Sequence, residues 1–571
     1  MRRRRGPATP AESGAVVKGW GGRLRVALAY PNTRAVGMAN LGFQTVYRLF
    51  NDRDAVVCER LFLPEPGATT PLRSVESGRP PTDFDILAVS ISFESDDAGL
   101  LRLLDGAGLP LRSADRSADR PLVLVGGVGP TLNPEPVAPF ADLILVGEAE
   151  VLLPPFLDRY DPEADRESLL LHLAREVPGV YVPAFYESHY RANGWLDGVR
   201  PMRDVPEQVE RVHLPDLSGA DTCTAVIAGE TAFDSAFLVE VGRGCPHGCR
   251  FCSAGYVYRP PRFRSAEQLR GIMARGAAET DRIGLVGAAV SDLPEVRTLC
   301  REFTGRDVRI SFSSLRADAL APELVAALQS GRVKTATVAP DAGSERMRRV
   351  INKGITEADI LAAVETLVDA GIPNLKLYFM VGLPTETRED VVAVVALVKR
   401  VKDRFLRASR PRGRMGEITV SVSSFVPKPV TPFQWAAMDS AAELKAKIKI
   451  IRDGLRRVAN VRVHADLPKH ARVQGILARG DRRVADLLEA AVRNGENWSQ
   501  AMKASPVNPD FFVARERGAA EAFPWEIVRH GVRRDFLRRE YERAMDGKTS
   551  PPCPGPGEGA CRWCGVCYGN E

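Results

Sequence analysis

Three cysteines stand close together in the stretch Val241-Gly-Arg-Gly-Cys-Pro-His-Gly-Cys-Arg-Phe-Cys-Ser253, at Cys245, Cys249 and Cys252. Thiolates are soft ligands that favour zinc and iron–sulfur centres. Structural zinc takes four protein ligands, and catalytic zinc takes three with one position open. A [4Fe–4S] cube held by only three cysteines keeps one iron free to bind a small molecule. His247 is a fourth zinc-ligand candidate, but it sits inside the first turn and would have to fold back.

A second set lies far downstream at Cys553, Cys561, Cys564 and Cys567. Its last three members repeat ferredoxin ligand spacing, with Cys553 as the candidate fourth. Four thiolates equally suit a small zinc site, and a tail without metal is the third alternative. Cys58, Cys223 and Cys300 stand alone and read as buried thiols.

Composition narrows the setting. The chain has 571 residues, 44% hydrophobic and 26% charged, enough for three or four globular domains. The net charge of +6 is Arg-dominated and spread out, so charge does not argue for nucleic acid. The longest apolar stretches, Asp390–Val401 and Leu143–Phe156, fall short of the ~20 residues that span a bilayer, so no membrane partner is expected. Arg2–Arg5 has no apolar segment behind it, which does not suit a secretory signal. Residues 1–22 therefore read as a disordered basic tail. Clustered thiols without a disulfide framework point to a reducing cytoplasm.

The elements that must position these residues fall into two βα series. Residues 23–160 carry five apolar runs: Arg25–Tyr30, Ala55–Leu63, Asp85–Ile91, Pro121–Val125 and Ala141–Val146. Runs apolar on both faces predict a parallel, doubly wound, Rossmann-like sheet. Ser90, Ser92, Gly126, Gly127, Gly147 and Glu148 then gather at its carboxyl edge, where such folds bind ligands. The direct repeat Arg112–Arg120 reads as a polar loop expansion. Residues 161–236 read as a linker or small β subdomain, with strands near Val180–Val182, Trp195–Val199 and Thr222–Ile227.

Residues 237–450 hold six further strands: Phe237–Gly242, Arg282–Val286, Arg309–Ser313, Thr335–Ala339, Asn374–Val381 and Ile418–Ser424. Six βα units are too few for an eightfold barrel and suit an open, partial (β/α)6 TIM barrel. Residues 451–550 read as a helical C-terminal region and 551–571 as a cysteine-rich tail. His464 and His470 read as histidines without chemistry, and Trp525–Met545 as an amphipathic segment docked on the barrel.

With CxxxCxFC directly after the first of those six strands, residues 237–449 resemble the radical S-adenosylmethionine (SAM) superfamily. The resemblance implies a [4Fe–4S] cluster on Cys245, Cys249 and Cys252, with SAM chelated at the open iron and Phe251 near its adenine. Reductive cleavage of SAM would then yield a 5′-deoxyadenosyl radical, fed by an electron donor such as flavodoxin or ferredoxin. Gly287-Ala-Ala289 stands where the family has a Gly-Gly-Glu backbone site for the SAM amine, so Gly287 and Ala288 are implied and the acid is missing. Ser313, Ser314 and Arg316 resemble contacts to ribose or carboxylate. Pro340-Asp-Ala-Gly-Ser-Glu345 resembles the family's Glu-x-Gly-Ser turn and implicates Ser344 and Glu345. Val381-Gly-Leu-Pro-Thr-Glu-Thr387 resembles its fifth-strand turn and implicates Gly382 and Pro384, the glycine giving the backbone room to approach adenine.

The domain order also resembles the cobalamin (B12)-binding radical SAM subgroup, in which Ser90, Ser92, Gly126, Gly127, Gly147 and Glu148 would cradle the corrin's nucleotide tail. The chain has no histidine before His172, so cobalt would take no histidine from this domain. The implied activity is methyl transfer or another radical modification. The alternatives are a relic domain without cobalamin, and a non-enzymatic iron–sulfur scaffold or RNA-associated adaptor.

Overall fold

A computed structural model describes residues 12–229, 231, 233, 235–312, 315–413, 415–555 and 561–567. The five expected N-terminal strands form as β1 (Leu24–Tyr30), β2 (Val56–Phe62), β3 (Ile86–Ser90), β4 (Leu122–Gly126) and β5 (Leu143–Leu145). All are parallel, in the order β2-β1-β3-β4-β5, and β6 (Val180–Tyr181) adds antiparallel to the far edge. Ile86–Val89 is fully buried, as a strand covered on both faces must be. The order reverses between β1 and β3, which opens a crevice at their carboxyl ends.

Two expectations here are corrected. Residues 12–22 are not a disordered tail: Glu12–Ser13 pairs antiparallel with Ile227–Ala228, and the Glu12 carboxylate meets the buried Arg60 at 2.6 Å. Lys18 adds hydrogen bonds to the Arg53 and Val56 carbonyls, and Trp20 stacks edge-on against Phe84. Residues 1–11 lie outside the described residues. The repeat Arg112–Arg120 is the expected loop, with one short turn at Ser113–Asp115, and it is anchored. Its Arg116 is buried, pairs with Asp142 at 3.2 Å and donates to the carbonyls of Pro110, Leu111 and Phe140. The segment read as linker contains a helix, Arg166–Glu176, capped by the Asp165 side chain, and a hairpin of Tyr186–Tyr190 with Leu196–Pro201.

The second series yields two parallel ladders. One joins β7 (Phe237–Glu240), β8 (Arg282–Val286) and β9 (Arg309–Phe312). The other joins β10 (Thr335–Asp341), β11 (Asn374–Val381), β12 (Ile418–Ser424) and β13 (Val461–Ala465). Among the described residues no ladder joins β9 to β10. All six expected strands occur, and β13 is an addition from the region read as helical. It is an edge strand with alternating half-buried and exposed residues, so its pattern is weak in sequence. Beyond it the chain is helical, and helix Arg534–Met545 buries Phe536, Leu537, Tyr541 and Ala544 against Tyr256, Phe433 and Trp435. That docking is the one expected of the amphipathic segment.

Candidate active site

The cysteine loop leaves β7 through Gly242–Arg243, which pairs with Arg262–Phe263 and closes the loop at its base. Gly244 has φ +89°, and a Cβ there would lie 2.7 Å from the Tyr258 carbonyl oxygen, so the turn into Cys245 requires glycine. The amide of Cys252 donates to Cys249. Between those two cysteines Arg250 is completely buried. Its guanidinium meets Glu540 at 3.1 Å and donates to the carbonyls of Arg349, Val350 and Lys548. Asn352 donates to the Gly248 carbonyl at 3.1 Å. The His247 ring nitrogen Nε2 lies 2.5 Å from Asp292, so this nitrogen is engaged with a carboxylate.

Burial pushes the Cys245 thiol up to about 11 and Cys249 up to about 12, and it also raises Cys252. Each thiol faces the negative charge of its neighbours, so the set stays protonated until a metal displaces the protons. Among the described residues no three His, Cys, Asp or Glu side chains close to the spacing of a single bound ion. A four-iron cube spreads its thiolates wider than one ion does.

Charged groups from three further turns face these thiols. Asp341, at the end of β10, has φ +61° and is paired with Lys353 at 2.5 Å. Burial drives the Asp341 pKa up, and Lys353 pulls against it. For Lys353, burial opposes the charge, but Asp341 and Cys249 hold the ammonium pKa above its ordinary value. Arg316 pairs with Asp318 at 2.9 Å, and its charge also reaches Cys249 and Asp292. Sequence reasoning placed Arg316 here but singled out neither Lys353 nor Asp292. Lys353 follows a helix end with no motif of its own.

Several other implicated residues are occupied in building turns. Ser344 accepts from the Met347 amide and donates to Asp390 at 2.6 Å, an N-cap with both ends used. Glu345 is largely exposed and faces Arg348. Within that motif it is Asp341 that turns toward the cysteines. Gly382 has φ +84°, and a Cβ there would meet Leu444 at 2.7 Å. Its lack of a side chain therefore also admits a helix side chain. Its amide donates to Glu386 at 2.7 Å, and Glu386 pairs with Lys447. Pro384 is half-buried in the same turn. Phe251 packs partly buried on the apolar cluster behind the loop. Ser313 and Ser314 lie outside the described residues.

A cavity of about 830 Å³ separates the first sheet from the cysteine loop. On one side it is lined by Ser90, Ser92, Gly126, Gly127, Gly147 and Glu148, on the other by Gly244, Ser253, Tyr258, Gly287 and Ala288. Thus eight residues singled out from two separate sequence regions share one space. Their roles differ. A Cβ on Gly127 (φ +107°) would lie 2.3 Å from the Ile91 oxygen, and one on Gly147 (φ +131°) 2.1 Å from the Val212 oxygen; both glycines serve close backbone packing. Glu148 clamps the domains by meeting Arg262 at 2.7 Å and Arg243 at 2.9 Å. Burial opposes its ionisation, yet those arginines hold its pKa below the ordinary carboxylate value. Ser92 accepts from Asn40 at 2.9 Å. Gly126 has no such obligation: a Cβ there would meet only Leu145 at 3.9 Å. Lys428 reaches the rim and pairs with Glu94 at 2.6 Å.

Comparison with known proteins follows this geometry. The family model described as the radical SAM superfamily matches residues 239–398, and that of radical SAM proteins, N-terminal, matches residues 42–183. An uncharacterized protein of Methanocaldococcus jannaschii is 31% identical over 74% of this chain and 83% of its own. The chain belongs to the radical SAM superfamily. Membership implies a [4Fe–4S] cluster and SAM, and the three half-buried thiols with an adjacent set of paired charges suit both. The tRNA-2-methylthio-N(6)-dimethylallyladenosine synthase of Jannaschia sp. (strain CCS1) is 29% identical over 38% of this chain and 49% of its own. The solved structure of the radical SAM methyltransferase TsrM from Kitasatospora setae, with cobalamin and a [4Fe–4S] cluster bound, aligns over 84% of this chain and 98% of that one, at 13% identity and TM-score 0.44. Among the described residues no helix is long and apolar enough to cross a membrane.

Proposed function

We propose that this protein reductively cleaves SAM and uses cobalamin, held between its two βα regions, to carry a methyl group to its substrate. In this reading the first sheet is a cobalamin-type domain, and the two ladders form one open partial barrel. The observation that carries it is the cavity shared by the carboxyl edge of the first sheet and the cysteine loop. A relay of a one-carbon group between two cofactors needs both to face one enclosed space.

Cys245, Cys249 and Cys252 would hold the cluster. Lys353 and Arg316 are the cations placed to meet a carboxylate beside it, and Asp341 the anion placed to meet an amine. The unobstructed surface above Gly126 and the hydroxyls of Ser90 and Ser92 would receive the corrin. With no histidine before His172, that domain would leave cobalt without an imidazole. The cluster with SAM supplies a 5′-deoxyadenosyl radical, and cobalamin supplies a methyl carrier. The chain's own part is to bind both, to balance their charges, and to exclude water through the Glu148–Arg243–Arg262 clamp.

Anaerobic reconstitution with SAM, reductant and cobalamin tests this reading. Formation of 5′-deoxyadenosine together with bound corrin is expected. Radical formation without corrin uptake would favour a domain that has lost cobalamin, a reading that Gly127 and Gly147 favour because backbone packing alone explains them. Iron–sulfur content without SAM cleavage would favour a scaffold.

A further inference from the structure

The four tail cysteines lie against the back of the catalytic loop. The Cys553 amide donates to the Pro246 carbonyl at 2.7 Å, which sets the Cys553 and Cys245 Cα atoms within about 10 Å of each other. Cys553, Cys561 and Cys564 share a small cavity with Gly248, the residue before Cys249. Cys567 follows the buried Cys564 by three residues in the same turn. Tyr256, fully buried, lines this cavity and donates to the Gly248 carbonyl at 3.2 Å. One aromatic ring thus touches both the tail cavity and the loop. Arg259, also buried, stacks on Tyr256 and Phe536 with its charge toward Cys564 and Cys553.

We infer that Cys553, Cys561, Cys564 and Cys567 hold a second iron–sulfur cluster that passes electrons through the Tyr256–Gly248 contact to the cluster on Cys245, Cys249 and Cys252. This rests on the proposed function only for the existence of the first cluster. Four thiolates leave no iron open, and the polar side chains lining the cavity are already engaged, Glu540 with Arg250 and Ser550, and Arg259 with the Gly255 carbonyl. What such a centre can exchange is an electron. The step is balanced by one electron entering from a reduced flavodoxin- or ferredoxin-class donor and leaving to the first cluster. The tail cluster returns to its oxidised state, and no bond or proton changes there.

The test uses full-length Cys561→Ala/Cys564→Ala protein, purified and reconstituted without oxygen beside the parent. Iron and sulfide should fall from about eight to about four per chain. Reduction of the remaining cluster by flavodoxin, followed by electron paramagnetic resonance, should slow at least about tenfold, while dithionite should still reduce it. Unchanged iron, zinc in place of iron, or an unchanged flavodoxin rate would each overturn the inference. Cys245→Ala/Cys249→Ala/Cys252→Ala protein separates the two readings, because it should lose the first cluster and keep about four iron in the tail.

Discussion

The thiols of Cys245, Cys249 and Cys252 sit among paired polar and charged side chains: His247 with Asp292, Arg316 with Asp318, and Asp341 with Lys353. Those of the tail sit among Phe536, Trp563 and Tyr256, with the guanidinium of Arg259 and, on the Arg250 side, Glu540 and Ser550. Both sets are near each other on one loop's two sides, yet their surroundings differ in kind. A three-thiolate centre with an open iron needs partners for a zwitterionic ligand, and paired charges supply them. A four-thiolate centre needs its own excess negative charge offset, and one buried cation does that. The environment, more than the ligand count, separates a site that binds from a site that conducts.

The most drastic way to break this comparison is to remove the loop thiols. Replacing all three by alanine should abolish 5′-deoxyadenosine formation, at least about a thousandfold below the parent. The next largest effect concerns the guanidinium between the ligands. Arg250→Met leaves Glu540 buried without its partner and should cost about 3–5 kcal/mol of stability. The double variant Arg250→Met/Glu540→Leu should recover much of that loss in denaturant titrations.

A smaller effect sharpens the contrast between cavity and loop. Gly126→Val places a branched side chain in space that meets only Leu145. It should weaken corrin binding about tenfold, with iron content and SAM cleavage retained; unchanged corrin binding would remove the cradle from this edge.

The smallest expected effect is a pH dependence confined to the tail's seat. His530 is buried with neither ring nitrogen hydrogen-bonded, one residue from Gly531, which lies beside Val566. Burial, and then the charge of Arg211, lowers its pKa to about 3. Since the folded value is depressed, the unfolded chain binds the proton first, below its ordinary value of about 6.5. Stability should therefore fall as pH drops from about 6.5 toward 3, and His530→Leu should flatten part of that slope in melting curves by a few degrees.

Much of this was legible in the sequence where the signal was local. Strands apolar on both faces, such as Ile86–Ser90 and Arg282–Val286, announced themselves by composition, and the cysteine loop by spacing. The cavity's two walls were also marked, because ligand edges sit at carboxyl ends of parallel strands. What stayed hidden depends on partners far along the chain. Lys353 gains meaning only because its helix end is folded against Asp341. Gly382 is pressed by Leu444, on a helix that follows β12, and no local signal shows that packing. Residues 12–22 looked like tail because Arg60 and Tyr47, their anchors, lie in other elements.

Arg250 also carries a consequence for the order in which the protein is made. It sits between Cys249 and Cys252, but its partner Glu540 lies 290 positions further along the chain. A ribosome adding about 5–20 residues per second needs some tens of seconds to cover that interval. Until helix Arg534–Met545 emerges, the loop has a guanidinium to bury and no carboxylate to bury it with. The loop can therefore reach its buried, hydrogen-bonded form only after residue 540 has been made.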